Sequence, residues 1–205
     1  EGEADELFGG VPVEFVAQTS YREANELLRG GKVTAAFVCG KPYVDGHDGF
    51  GLEILAAPQV KGKMVYYSNL IVHKESAYQE LKDLKGKVFA FADPMSNSGW
   101  LVPTYELAKM GETADSFFGR YIYSYGHDKS IKSVAQKVAD GAAVDSLIYE
   151  YQKAHNPKYT SQTRVIGISL PFGIPPVVVP KELDPKLKAE MRKVLLTAHQ
   201  DPEGQ

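Results

Sequence analysis

The chain has 205 residues, 43% hydrophobic and 11% aromatic, enough to bury a sizeable core in one large domain or two modest lobes. A formal net charge of −3, a pI near 6.0 and the lack of any Lys/Arg cluster exclude a nucleic-acid or anionic-membrane surface, so an anion, if bound, is held by local dipoles. A lone cysteine, Cys39, excludes an internal disulfide framework and a cysteine metal cage, and the five scattered histidines lack ligand spacing.

No apolar run approaches a membrane span, so the chain as given is expected to be soluble and not to insert directly into a membrane. The start, Glu1-Gly2-Glu3-Ala4-Asp5, lacks a signal-peptide layout and does not look like a natural beginning; a processed secreted protein or an excised extracellular domain fits it. Residues 4–8 read as the end of a helix stopped by Gly9-Gly10, and Pro12-Val13-Glu14-Phe15-Val16 alternates like a strand. Gln18-Thr19-Ser20 precede a helix with Ala24, Leu27 and Leu28 on one face, ended by Gly30-Gly31. A strand at 34–38, with Cys39 as a small buried thiol, leads to Gly40-Lys41-Pro42-Tyr43, which can begin a helical turn.

Residues 52–57 and 64–73 read as strands, the second long and rich in tyrosine and β-branched residues. A capped linker over 81–86 leads into a strand at 88–92. Asp93-Pro94-Met95-Ser96-Asn97-Ser98-Gly99 follows, then a helix with Pro103 in its first turn that runs to Met110, with Gly111 beyond it. A strand at 121–123 ends at Ser124-Tyr125-Gly126-His127-Asp128, and the next helix carries Ile131, Val134, Ala135, Val138 and Ala139 on one face. Residues 142–149 read as a buried strand interrupted by Asp145, 150–154 as helix and 164–168 as strand. A stiff crossing at 171–176 precedes the strand 177–179, and Asp184-Pro185 announces the last helix, with Leu187, Met191, Leu195 and Ala198.

This order predicts an α/β fold with mostly parallel sheets and ligands bound beyond the carboxyl ends of the strands. Polar helix starts at Thr19-Ser20, residues 40–43, 96–99 and His127-Asp128 all point to that edge. Free N–H groups and hydroxyls at such starts can hold an oxyanion, although Asn97 or Ser98 can equally be a simple helix cap. The crossings at 64–73 and 170–176 suggest a discontinuous first lobe, 1–76 plus 170–205, a second lobe at 77–169, and a ligand cleft between them.

The combination resembles the PhnD-like periplasmic substrate-binding proteins, which serve ABC transporters for phosphonate, phosphite and related oxyanions. It rests on Pro12 to Val16 with Thr19-Ser20-Tyr21, on Gly40 and Pro42-Tyr43-Val44, and on Asp83-Leu84-Lys85-Gly86-Lys87 leading to Asp93-Pro94-x-Ser96-x-Ser98-Gly99 and Pro103. His127-Asp128 and Asp201-Pro202-Glu203-Gly204 complete it. The resemblance covers nearly the whole chain and implies a two-lobe type II periplasmic-binding-protein fold, no cofactor, a small oxyanion ligand, a membrane permease as partner and a periplasmic or extracellular location. It implies ligand contacts from Tyr43, Tyr66 or Tyr67, Ser96, Asn97, Ser98, Gly99, His127 and Asp145.

Each residue has a local sense and a plainer alternative. Serine hydroxyls and a histidine N–H donate to oxyanions, and tyrosines wall off water, but a lone tyrosine or histidine is commonly a packing or surface residue. Asp145 only accepts when ionised, so in the site it selects a ligand bearing a P–OH or amino donor; otherwise it caps or pairs with a neighbour. Asn97 stands where the family usually has threonine. The chain also lacks the family's first strand and stops where family members usually continue. No Gly-x-Ser-x-Gly elbow occurs, and no base is evident beside Ser96 or Ser98, so catalysis is not expected. The alternative function is the ligand-sensing domain of a membrane signalling protein built on the same fold.

Overall fold

The alternation of short apolar runs with amphipathic stretches produces three sheets in the computed structural model, which describes residues 13–200. The elements are α1 Tyr21–Arg29, β1 Ala36–Phe37, α2 Gly40–Phe50, β2 Leu52–Ala56, β3 Val65–Tyr66, β4 Ser68–His73 and β5 Val88–Phe91. A π-type turn, Asn97–Leu101, continues into α3 Val102–Lys109. After it come α4 Ala114–Phe117, β6 Arg120–Tyr123, α5 His127–Ala135, β7 Gly141–Asp145, α6 Ser146–His155, β8 Thr163–Ile168, β9 Phe172–Gly173, β10 Val177–Pro180 and α7 Pro185–Thr197.

One lobe holds the antiparallel sheet β1-β10-β2, and the other a five-stranded sheet ordered β6-β5-β7-β4-β8. The pair β3/β9 lies between, with Tyr66 opposite Phe172. In the larger sheet β5 is parallel to β6 and β7, because helical crossovers return the chain to the same edge. β4 runs antiparallel to β7 and β8. The expectation of mostly parallel sheets is therefore corrected to mixed pairing. The chain enters this lobe through β3 and β4 and leaves through β8 and β9, so entering and departing strands run in opposite senses. β4, expected on the first lobe's side of a boundary at residue 76, pairs within the five-stranded sheet.

Alternation along the strands fills both faces of that sheet. Ile71, Ala90, Ala142 and Val144 pack with Ile131 and Val134 of α5 and Tyr149 of α6. Their neighbours Val72, Phe89, Phe91 and Ala143 face Leu84, Leu107, Phe117 and Phe118, where the Phe89 and Phe118 rings stack at 4.4 Å. The smaller lobe has two modest clusters, Leu28-Val38-Leu52-Val178 and Leu55-Val177-Val179.

Several elements differ from expectation. Residues 13–16 form no strand, and Phe15 is 88% exposed, because no sheet neighbour covers the alternating face among the described residues. Only Ala36–Phe37 of the strand expected at 34–38 is paired. The long strand expected at 64–73 breaks at Tyr67, where the chain changes sheets and Ser146 Oγ accepts the Tyr67 N–H. The helix expected to reach Ala139 ends at Ala135, leaving Val138 half exposed, and α4 was not anticipated. The strand expected over 142–149 stops at Asp145, whose carboxylate accepts the N–H groups of Leu147 and Ile148 and starts α6 there. α7 begins as expected, with Asp184 as cap and Pro185 first. The helix end at 4–8 and the closing segment at 201–204 lie outside the described residues.

Candidate functional site

Parallel pairing brings the carboxyl ends of β5, β6 and β7 to one edge, and the Ser68–Asp145 register places the amino end of β4 beside them. From β5 the chain passes through Asp93 to the 96–99 turn. From β6 it passes through Ser124-Tyr125-Gly126 to His127, the first residue of α5, while Asp145 ends β7 and Tyr66 ends β3, one residue short of β4. The smaller lobe supplies Tyr21 in the first turn of α1 and Cys39 as the residue capping α2.

Within the 96–99 turn the two serines have different tasks. Ser96 Oγ accepts the Gly99 N–H at 2.9 Å, which is a helix cap. Ser98 Oγ is fully buried and has no hydrogen-bond partner among the described residues. Its own carbonyl is held by the Ser68 hydroxyl at 2.6 Å, which fixes the backbone that aims it. As a first-turn residue Ser98 also has an N–H without an acceptor inside the helix. Gly99 is required by space: a Cβ there would overlap Ala92 Cβ and lie 3.0 Å from Ser96 Oγ and 3.1 Å from His127 Cε1. A side chain at 99 would thus press on the His127 ring.

His127 is the second group with an unmet donor. Its Nδ1 accepts the Asp145 backbone N–H at 3.1 Å, so the proton of the neutral ring sits on Nε2, and Nε2 is buried without a partner among the described residues. Burial keeps the ring neutral, pulling its pKa down to about 4 against a weak opposing pull from Asp128. Asp145 behaves inversely. Desolvation lifts its carboxyl to about 6 despite the stabilising Leu147 and Ile148 N–H groups. Both N–H groups go to Oδ1, leaving Oδ2 without a hydrogen bond among the described residues. Asp145 therefore caps α6 and also presents an acceptor.

The lobes meet around these groups. Asn97 N–H donates to Cys39 Sγ at 3.3 Å, Asn97 Nδ2 donates to the Tyr66 hydroxyl at 3.1 Å, and Cys39 Sγ lies 3.3 Å from the same hydroxyl. Asp93 accepts the Met95 N–H within its own turn and the Tyr21 N–H across the lobes at 3.4 Å. Burial, then the proximity of Cys39 and Asp145, raises the pKa of both Tyr21 and Tyr66, so both phenols keep their protons. A cavity of about 810 Å3 is lined by Tyr21, Asp93 and His127 of this cleft and by Val16, Phe37 and Met191 of the smaller lobe.

Tyr66, Ser96, Asn97, Ser98, Gly99, His127 and Asp145 are thus gathered, although Ser96 and Asn97 spend hydrogen-bonding groups within the protein. Tyr43 is not: it packs on the Leu28-Val38-Leu52-Val178 cluster, with its ring 5.8 Å from that of His47. Tyr67 lies half-buried between β3 and β4, and its backbone N–H is engaged by Ser146 Oγ. Tyr21 and Cys39 were missed. Tyr21 follows directly on a helix start expected at this edge, which was a usable signal; the cross-lobe partner of Cys39 had none.

A family model described as "ABC transporter, phosphonate, periplasmic substrate-binding protein" matches residues 4–205. The phosphonates-binding periplasmic protein of Escherichia coli K12 is 27% identical over 199 residues, covering 95% of this chain and 59% of that protein. This chain therefore spans about six-tenths of the length of that relative. A binding-protein component of an ABC phosphonate transporter from Pseudomonas aeruginosa superposes with a TM-score of 0.89 at 27% identity, covering 98% of this chain and 68% of the other. PhnD1 from Prochlorococcus marinus, solved with methylphosphonate, has a TM-score of 0.86 at 23% identity, covering 98% and 78%.

Proposed function

Because the chain belongs to the periplasmic substrate-binding proteins of phosphonate ABC transporters, we propose that it captures a small phosphorus oxyanion in the interlobe cleft for delivery to a membrane permease. The observation that carries this reading is the pair of buried donors without acceptors among the described residues, Ser98 Oγ and His127 Nε2, on two neighbouring helix starts. Leaving such groups unpaired costs roughly 1–3 kcal/mol each, and an oxyanion relieves both. Closure on the anion is what a permease would read.

The same geometry supports binding over catalysis. His127 Nδ1 is engaged by a backbone N–H, and its Nε2 carries the proton, so the ring offers Ser98 a donor rather than a base. Asp145 Oδ2 is the only acceptor proposed for the ligand, and it favours a P–OH or amino group on it.

Calorimetry with phosphite, methylphosphonate, 2-aminoethylphosphonate, phosphate and sulfate tests the reading. At least one phosphorus oxyanion is expected to bind, and Ser98→Ala should weaken every ligand by about 10- to 100-fold, the worth of a hydrogen bond to a charged group. Asp145→Asn should chiefly reorder the panel, favouring ligands without a donor. Silence of the wild-type chain across the whole panel would sink the proposal.

A further inference from the structure

We propose that Asn97 and Cys39 are positioning residues for the Tyr66 hydroxyl, turning its hydrogen toward the bound oxyanion. The inference rests on the reading of the cleft given above. Three residues form a ring of contacts: Asn97 N–H on Cys39 Sγ, Cys39 Sγ against the Tyr66 oxygen, and Asn97 Nδ2–H on that oxygen, at 3.3, 3.3 and 3.1 Å, and the Tyr21 side chain also reaches the Cys39 thiol from the smaller lobe. The ring is buried, with Tyr66, Cys39 and Asn97 exposed by 0%, 1% and 7%.

Donor arithmetic makes the ring directional. A phenol accepts through its lone pairs and donates one hydrogen. Asn97 Nδ2 carries only hydrogens, so Tyr66 must accept there, and the phenol hydrogen is left with Cys39 Sγ as its neighbour inside the ring. A thiol sulfur is a weak acceptor and an oxyanion a strong one, so an arriving anion takes that hydrogen by simple rotation about the C–O bond. The thiol hydrogen then turns onto the vacated side of the phenol oxygen, while Sγ continues to accept the Asn97 N–H. No proton leaves its atom. A hydroxyl in place of the thiol preserves this exchange, whereas a methyl group ends it.

Asn97 therefore acts through Tyr66, with its amide spent on the phenol. This also ties ligand contact to lobe contact, because Asn97 belongs to the larger lobe, Cys39 to the smaller, and Tyr66 to the strand pair that joins them.

A double-mutant cycle read by calorimetry tests the assignment, using whichever oxyanion the wild-type chain binds best. Asn97→Ala is expected to weaken binding about fivefold when residue 66 is tyrosine and less than about twofold in the Tyr66→Phe background, the loss of one neutral hydrogen bond. Cys39→Ala should follow the same pattern and Cys39→Ser should restore near-wild-type affinity, which keeps the test open if Asn97→Ala does not fold. Equal factors in both backgrounds, or a fall in thermal stability with unchanged affinity, would overturn the inference alone. A wild-type chain that binds nothing would overturn the reading of the site itself.

Discussion

His127 and Asp145 are buried side by side with opposite titration problems, and they pull the pH response of the unliganded protein in opposite directions. Below pH 6.5 the unfolded chain binds a proton on His127 that the folded chain refuses until about pH 4, so this group lowers stability as pH falls through that window. The unfolded chain releases the Asp145 proton above about pH 4, while the folded chain keeps it until about pH 6, so this group lowers stability as pH rises. Each effect is on the order of 3 kcal/mol at full extent, and the two oppose each other between pH 4 and 6. Urea midpoints should accordingly fall on acidification in Asp145→Asn and fall on alkalinisation in His127→Gln, with the wild type flatter than either. Slopes of the same sign in both variants would contradict this assignment.

At the scale of elements, the π-type turn at 97–101 decides which serine is free. Ser96 O accepts from both Trp100 and Leu101, and the widened turn leaves Ser96 Oγ to cap Gly99 while Ser98 Oγ stays unpaired. Gly99 permits the close approach of Ala92 and His127. Gly99→Ala is expected to destabilise the fold by about 1–3 kcal/mol through overpacking and to weaken oxyanion binding, since the added methyl pushes on His127. Thermal melts and calorimetry on the same variant check both effects; unchanged affinity would mean the turn relaxes without moving the ring. The strand-to-helix junction at Asp145 is the other decisive element. Its carboxylate was legible as a break in an apolar run, but local pattern could not tell an interrupted strand from a strand that ends in a capped helix. Only the Leu147 and Ile148 N–H groups resolve that.

For the whole molecule, the lobes touch through Cys39, Asn97, Tyr21 and Asp93, and the thiol is 1% exposed at that contact. Opening of the lobes breaks these bonds and uncovers it. Cys39 should therefore react slowly with iodoacetamide, and more slowly still as a bound oxyanion holds the lobes together, with protection following the ligand ranking found by calorimetry. Because Cys39 is the sole cysteine, one mass shift reports the whole event. Protection that ignores ligand, or a thiol that reacts at once, would mean that the cleft does not control its access.

The sequence by itself determined the α/β class, most strand and helix positions, the polar turn at 96–99 and the histidine at a helix start, because each is written in local periodicity, caps and turn residues. It also carried enough spaced motifs to identify the family. Tertiary structure decided the mixed strand directions, since these depend on how the chain enters and leaves a lobe, and the packing of Tyr43 against the Leu28-Val38-Leu52-Val178 cluster. It alone brought Cys39 to Asn97 and Tyr66, and Tyr21 to Asp93. It also left Ser98 and His127, unlike Ser96, with donors unmet, because burial and partners are properties of the assembled cleft and of no single stretch of chain.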